Sequence, residues 1–192
     1  LAVRMMDNVI DITQFPLEQQ RNEAIAKRRI GLGVTGLADA LLMCRVRYGS
    51  AEAVALTERW MAALRRLAYE ASIELARERG PFPLFDCDAY LAGEGVQGLD
   101  ADLRLAIGKH GIRNALLTSI APTGTISLLA DNVSSGIEPV FSFQHRRSVL
   151  MPDGGHRDEF VTDYAYSQFR RLYGEDAALP DYFVDAQQLL PD

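Results

Sequence analysis

Cysteine is scarce in this chain. Cys44 and Cys87 are the only two in 192 residues, and they lie in unlike surroundings. Neither falls in a metal-ligand or redox spacing, which argues against a disulfide framework, a zinc site or a dithiol motif. Such usage fits a reducing, cytoplasmic setting. Long apolar runs are also missing: no stretch reaches the roughly 18 residues that a membrane-spanning helix needs, and no signal peptide is visible. There is no excess of basic residues, since 20 Lys and Arg against 26 Asp and Glu leave a net charge of −6. A general nucleic-acid binder needs a basic face, so that class is disfavoured. A nucleotide is not, because its phosphates need only a local site. The three histidines, His110, His145 and His156, are too dispersed for a ligand spacing such as His-Glu-x-x-His, and no metal site is expected. No internal repeat, low-complexity tract or clear linker breaks the chain.

The chain has ample apolar material. Its hydrophobic content of 48% can fill a core, and the length suits one domain over residues 1–192. It begins within an apparent helix and ends at Pro191-Asp192 without a stop signal, so the expectation is a fragment cut at both ends. Helical spacing of Val3, Met6, Val9 and Ile10 predicts a helix over residues 1–12, and a more polar helix follows over 17–28. Residues 29–34 read as a short strand, after which Thr35 caps a helix through Leu37, Ala38, Leu41 and Leu42. Ser50 is placed to cap the longest helix, which buries Trp60, Met61, Leu64, Leu67, Ala68, Ala71 and Leu75 and ends at Gly80-Pro81. Phe82 to Phe85 forms a loop pinned by its rings. A short helix is expected over residues 86–91, a flexible turn over 93–98 and a further helix over 100–110, closed by Gly111. Residues 115–120 read as a second buried strand. Residues 140–150 are expected to be extended, Pro152 to Gly155 a turn, and residues 158–173 helical. The class is α/β and helix-rich, with residues 29–34 and 115–120 parallel in one sheet. Cys44, on an apolar helix, is expected to be buried and inert.

Two glycine-bearing motifs invite a ligand. Gly31-x-Gly33-x-x-Gly36 has the letters of a dinucleotide fingerprint. The strand before it is short, and no second strand with a terminal acid follows, so packing is the better reading of these glycines. The second motif is stronger in context. An apolar run ends at Ile120 and is followed by Pro122-Thr123-Gly124-Thr125-Ile126-Ser127, which opens a helix. The first turn of a helix leaves N–H groups without partners, and its dipole favours an anion. Gly124 lets a ligand approach the backbone, while Thr123, Thr125 and Ser127 bring hydroxyls. The motif reads as a phosphate cradle, with a plain helix cap as the alternative. It is not a Walker A loop, since the Gly-x4-Gly-Lys-Ser/Thr pattern is missing. His145-Arg146-Arg147 could aid an anion or simply be a solvated run, and Glu138 either faces a site or caps a turn.

Ala121 to Ser127, followed by Asn132-Val133-Ser134-Ser135-Gly136-Ile137-Glu138-Pro139, resembles the substrate-phosphate segment of ribonucleotide reductases. The Pro-Thr-Gly-Thr-Ile-Ser form is most similar to the adenosylcobalamin-dependent class II enzymes. Arg28 to Leu41 supplies a second match, and the two together span most of residues 1–143. The resemblance implies a helix-rich fragment of a ten-stranded α/β barrel, namely the C-terminal part of the catalytic domain. It implies a ribonucleotide substrate, diphosphate or triphosphate, held at Pro122, Thr123, Gly124, Thr125, Ile126 and Ser127. It also implies adenosylcobalamin as the parent's cofactor, a thiol reductant such as thioredoxin and room for a homodimer. The family's thiyl cysteine stands in an Asn-x-Cys-x-Glu loop, a pattern that neither Cys44 nor Cys87 meets. By the resemblance that cysteine and the reducing cysteines belong outside this stretch, and no residue here is expected to be catalytic. The alternatives are the large subunit of a class I enzyme and a helical interaction domain without a ligand.

Overall fold

The computed structural model describes residues 1–152 and 154–189. The sequence-predicted turn at Pro152 to Gly155 includes Asp153, and the chain end at Pro191-Asp192 follows residue 189; both Asp153 and that end lie outside the described residues. The elements in chain order are α1 (Ala2–Ile12), α2 (Glu18–Lys27), α3 (Leu37–Met43), α4 (Ala51–Arg79), α5 (Cys87–Leu91), α6 (Glu94–Gln97), α7 (Ala101–His110), α8 (Gly124–Leu129), β1 (Gln144–Leu150), β2 (His156–Thr162) and α9 (Tyr164–Tyr173). Among the described residues, no helix is long and apolar enough to cross a membrane. The chain divides into two compact units, and α4 contributes to both.

The first unit comprises Leu1–Leu32 and Arg59–Ser119. Its core joins Val3 of α1, Ala68, Ile73 and Leu75 of α4, Leu103 and Ile107 of α7, and Phe82, Val96, Leu99, Ile112 and Leu117 from the connections. The two runs expected as strands do pair, and in parallel, but only at one bridge, Leu32 to Thr118. The Ile30 N–H donates to Leu116 O at 3.0 Å, the Leu32 N–H to Leu117 O at 2.7 Å, and the Ser119 N–H to Leu32 O at 3.0 Å. The apolar face of α4 departs from the expected one. Leu67 is exposed while Ser72, Ile73 and Ala76 are buried. The expected turn over residues 93–98 contains the short α6. Phe82 is buried, with its ring 5.5 Å from Phe85 and 5.9 Å from Tyr90.

A buried charge cluster lies under α1. Asp7 Oδ1 accepts from Arg28 Nε at 2.7 Å and from Asn114 Nδ2 at 3.0 Å. Asp7 Oδ2 lies 3.3 Å from Arg113 Nε. The same Asn114 amide donates to Arg28 O, and its Oδ1 accepts from Ser72 Oγ. Arg28 adopts the left-handed conformation, φ 46°, that ends α2. The cluster therefore ties α1, α4 and the residues just before both paired runs.

The second unit comprises Gly33–Glu58 and the chain from Ile120 onward. Ala38 and Leu42 of α3, Val140, Ala165 and Phe169 of α9, and Phe183 form its core. The Phe143 and Tyr166 rings stack at 5.6 Å, and Phe169 meets Phe183 at 5.0 Å. β1 and β2 form an antiparallel hairpin that pairs Gln144 with Thr162 and Leu150 with His156. The helix expected over residues 158–173 is thus strand in its first five residues. Residues 156–162 pair with β1, and α9 begins only after Asp163, whose carboxylate accepts the Tyr166 N–H at 3.0 Å. Thr35 does not cap α3. Its hydroxyl donates to Ser134 O, and Gly36, at φ 76°, leads into the helix. Cys44, expected to be buried, is exposed at the C-terminal end of α3, because the helix stops one residue before it.

Candidate functional site

The segment Pro122–Ser127 opens α8. Thr123 precedes the helix in a left-handed conformation, φ 52°, which turns the chain sharply into Gly124. The Thr123 hydroxyl is committed within the fold, donating to Thr35 Oγ1 at 3.1 Å and accepting the Gly136 N–H at 2.6 Å. The Ser127 N–H donates to Thr123 O, and its hydroxyl to Gly124 O. Among the described residues no acceptor meets the N–H groups of Gly124, Thr125 and Ile126. Gly124 has no left-handed φ, and a Cβ added there would meet nothing within 4 Å.

A cavity of about 360 Å³ opens beside this turn. Gly124, Thr125 and Ser127 line it, whereas Pro122, Thr123 and Ile126 are not part of its lining. The segment after α8 supplies Asn132, Ser134, Ser135 and Glu138, β1 supplies His145 and Arg147, and Asp163 closes one side. Glu138 and the expected basic cluster thus meet at one place. In β1 alternate side chains face one way. His145 and Arg147 reach the cavity, while Arg146, between them, lies 4.0 Å from Asp158. His145 Nδ1 is buried without a partner among the described residues. The lining mixes hydroxyl and amide side chains with apolar ones such as Leu128, Val140 and Phe141, together with one strongly basic side chain and two acids.

The second resembling segment, Arg28 to Leu41, is held against this wall at its later residues. Asp39 of α3 is buried, and its two carboxylate oxygens accept the Ser134 N–H at 2.6 Å and the Ala165 N–H at 2.9 Å. Ser134 Oγ accepts the Ala38 N–H in return. Sequence reasoning passed over Asp39 and Asp163. A carboxylate three residues into a helix looks like an ordinary first-turn acid, and Asp163 lay inside a stretch read as helix.

Neither cysteine belongs to the cavity. Cys87 is half-buried at the start of α5, 3.9 Å from Gly108 O. No group of three or more His, Cys, Asp or Glu that could hold a metal occurs among the described residues.

A helix-rich α/β chain with a hydroxyl-lined cavity at a Pro-Thr-Gly-Thr turn agrees with one protein class over nearly its whole length. Residues 1–178 match the family described as ribonucleotide reductase, barrel domain, and the chain belongs to that family. Among its relatives is a vitamin B12-dependent ribonucleoside-diphosphate reductase of Mycobacterium tuberculosis, strain H37Rv. The two are 41% identical over 150 residues, 78% of this chain and 19% of that protein. The protein of the same name from Thermoplasma acidophilum is 39% identical over 149 residues, 78% of this chain and 17% of the relative. The ribonucleoside-diphosphate reductase large subunit of Caenorhabditis elegans is 38% identical over 163 residues, 80% of this chain and 21% of that subunit. The chain spans about a fifth of the length of these relatives. Membership removes the support for a free-standing helical interaction domain.

Proposed function

We propose that this chain is the C-terminal part of the ten-stranded catalytic barrel of a class II ribonucleotide reductase. The parent converts ribonucleoside diphosphates to deoxyribonucleotides, in the cytoplasm, and Pro122 to Ser127 hold the substrate phosphates. The observation that carries this reading is the cavity at the start of α8, where free backbone N–H groups and the Thr125 side chain border open space. Phosphates can be held there by dipoles and hydroxyls, with Arg147 as a charged neighbour. Positioning of this kind is a large source of rate, because it converts an encounter into an oriented complex. The vitamin B12-dependent names of two relatives support adenosylcobalamin as the parent's cofactor.

When bound, that cofactor supplies the radical. A cavity of this volume suits the phosphate end of a nucleotide and does not fit a corrin, so no residue here is assigned to it. Catalytic cysteines are likewise assigned to the rest of the parent, with a thiol reductant such as thioredoxin and a second copy of the chain as its partners. The similarity to the C. elegans large subunit favours a second reading, in which the parent is a class I large subunit. Deoxyribonucleotide formation by the full-length protein, assayed with and without adenosylcobalamin, separates the two. The class II reading expects turnover only with the cofactor. Turnover without it, dependent on an added metal-bearing subunit, would support class I.

A further inference from the structure

We infer that Asp39 and Asp163 are positioning residues of the cavity: two buried carboxyls at the first turn of α9, of which Asp39 ties the Ser134–Gly136 wall to the start of that helix and Asp163 lines the cavity. This rests on the nucleotide reading above and assigns the site its own pH response.

The geometry comes first. Both side chains are almost fully removed from solvent, Asp39 at 3% and Asp163 at 2% exposure. Asp39 spends one oxygen on the Ser134 N–H and the other on the Ala165 N–H. Asp163 accepts the Tyr166 N–H, and its own N–H donates to Phe143 O. The pair therefore meets at the first turn of α9, and Asp163 also lines the cavity. A carboxyl that is buried near another carboxylate ionises only at a cost, since it is both desolvated and repelled. Burial, and then the neighbouring Asp39 carboxylate, push Asp163 up to about 7, although the Tyr166 and Ala165 N–H groups pull the other way. The remaining titratable groups around the cavity are His145 and Arg147 from β1 and Glu138 from the loop, and no ion pair joins any of them to Asp163. A neutral Asp163 leaves the wall intact and adds no charge beside an anion. An ionised Asp163 repels both the anion and Asp39, which loosens the hold on Ser134.

The sign follows from the raised value. Asp163 binds its proton more tightly folded than unfolded, so it lowers stability progressively as pH rises from the ordinary carboxylate range to about 7. Asp163→Asn mimics the neutral form and retains an N-cap acceptor for Tyr166.

The test uses the full-length protein, with the ribonucleoside diphosphate CDP as probe, titrated calorimetrically from about pH 6 to about pH 8.5. Wild type is expected to lose about fivefold to tenfold more affinity over this range than Asp163→Asn, the effect of one new charge near the phosphates. In Asp39→Asn the step should move to lower pH, because the repelling neighbour is gone; a merely structural role leaves its midpoint in place. Thermal unfolding of the same proteins reads the proton without nucleotide. Asp163→Asn should gain on wild type as pH rises through about 7 and no further above it. Parallel affinity curves together with parallel melting curves would overturn the inference. If wild type binds no CDP while the melting curves still diverge, the nucleotide reading fails and the tightly held Asp163 proton stands.

Discussion

Asp7 shows how much one side chain decides in the first unit. Its burial pushes the carboxyl up, but the hydrogen bond and charge of Arg28, the charge of Arg113 and the Asn114 amide outweigh that and hold it below the usual carboxylate range. Removing one member of such a network leaves buried charge uncompensated, which costs about 3–5 kcal/mol. Asp7→Ala in the full-length protein is therefore expected to lower unfolding stability by about that amount in denaturant melts at neutral pH. A depressed carboxyl contributes stability above its unfolded value, near 4, and loses it as pH falls through the folded value. The difference between variant and wild type should thus shrink in acid; a constant difference would mean that packing, not charge, holds the site. The cysteines supply the opposite case. Cys44 is exposed and Cys87 half-buried, and neither lines the cavity. Replacing both by Ser in the full-length enzyme is expected to leave most deoxyribonucleotide formation intact at equal folded protein. Complete loss in a folded double variant would mean that a catalytic cysteine lies in this chain.

At the scale of elements, the sequence was most legible where local signals agreed. Ser50 before α4 and Gly80 after it bracket the helix as expected, with the Ser50 hydroxyl accepting the Ala53 N–H at 3.1 Å. Asp86 caps α5 in the same way, and Gly111 closes α7. Legibility failed where a partner distant in sequence decides the outcome. Phe160 falls loosely in helical step with Tyr164, Ser167, Phe169 and Leu172, yet the antiparallel register with β1 makes residues 156–162 a strand. The Asp7 cluster is a similar case. Asp7, Arg28, Ser72 and Asn114 each look like surface residues in their own segments, and only the fold brings them together. Gly124, Thr125 and Ser127, singled out by local turn chemistry, line the cavity. His145 and Arg147 stood in a run whose sequence left open whether it aids an anion or is solvated, and Asp163 was passed over; only the fold, through β1 and the start of α9, brings them to the cavity.

For the whole molecule, the chain belongs to the ribonucleotide reductase barrel family and spans about a fifth of the length of the relatives it matches. Met5, Val9 and Ile12 of α1 and Leu105 of α7 are exposed apolar side chains. The central claim is that the turn at Gly124 carries the substrate's phosphates, and ribonucleoside diphosphate affinity in the full-length protein tests it most directly. A Cβ at Gly124 meets open space and no backbone strain, so Gly124→Val should fold normally and obstruct the cavity mouth, weakening binding severely. Thr125→Ala, which removes one hydroxyl donor to a charged group, should cost about 1 kcal/mol of binding. Unchanged affinity in both variants would contradict the account and leave the turn as no more than the cap of a short helix.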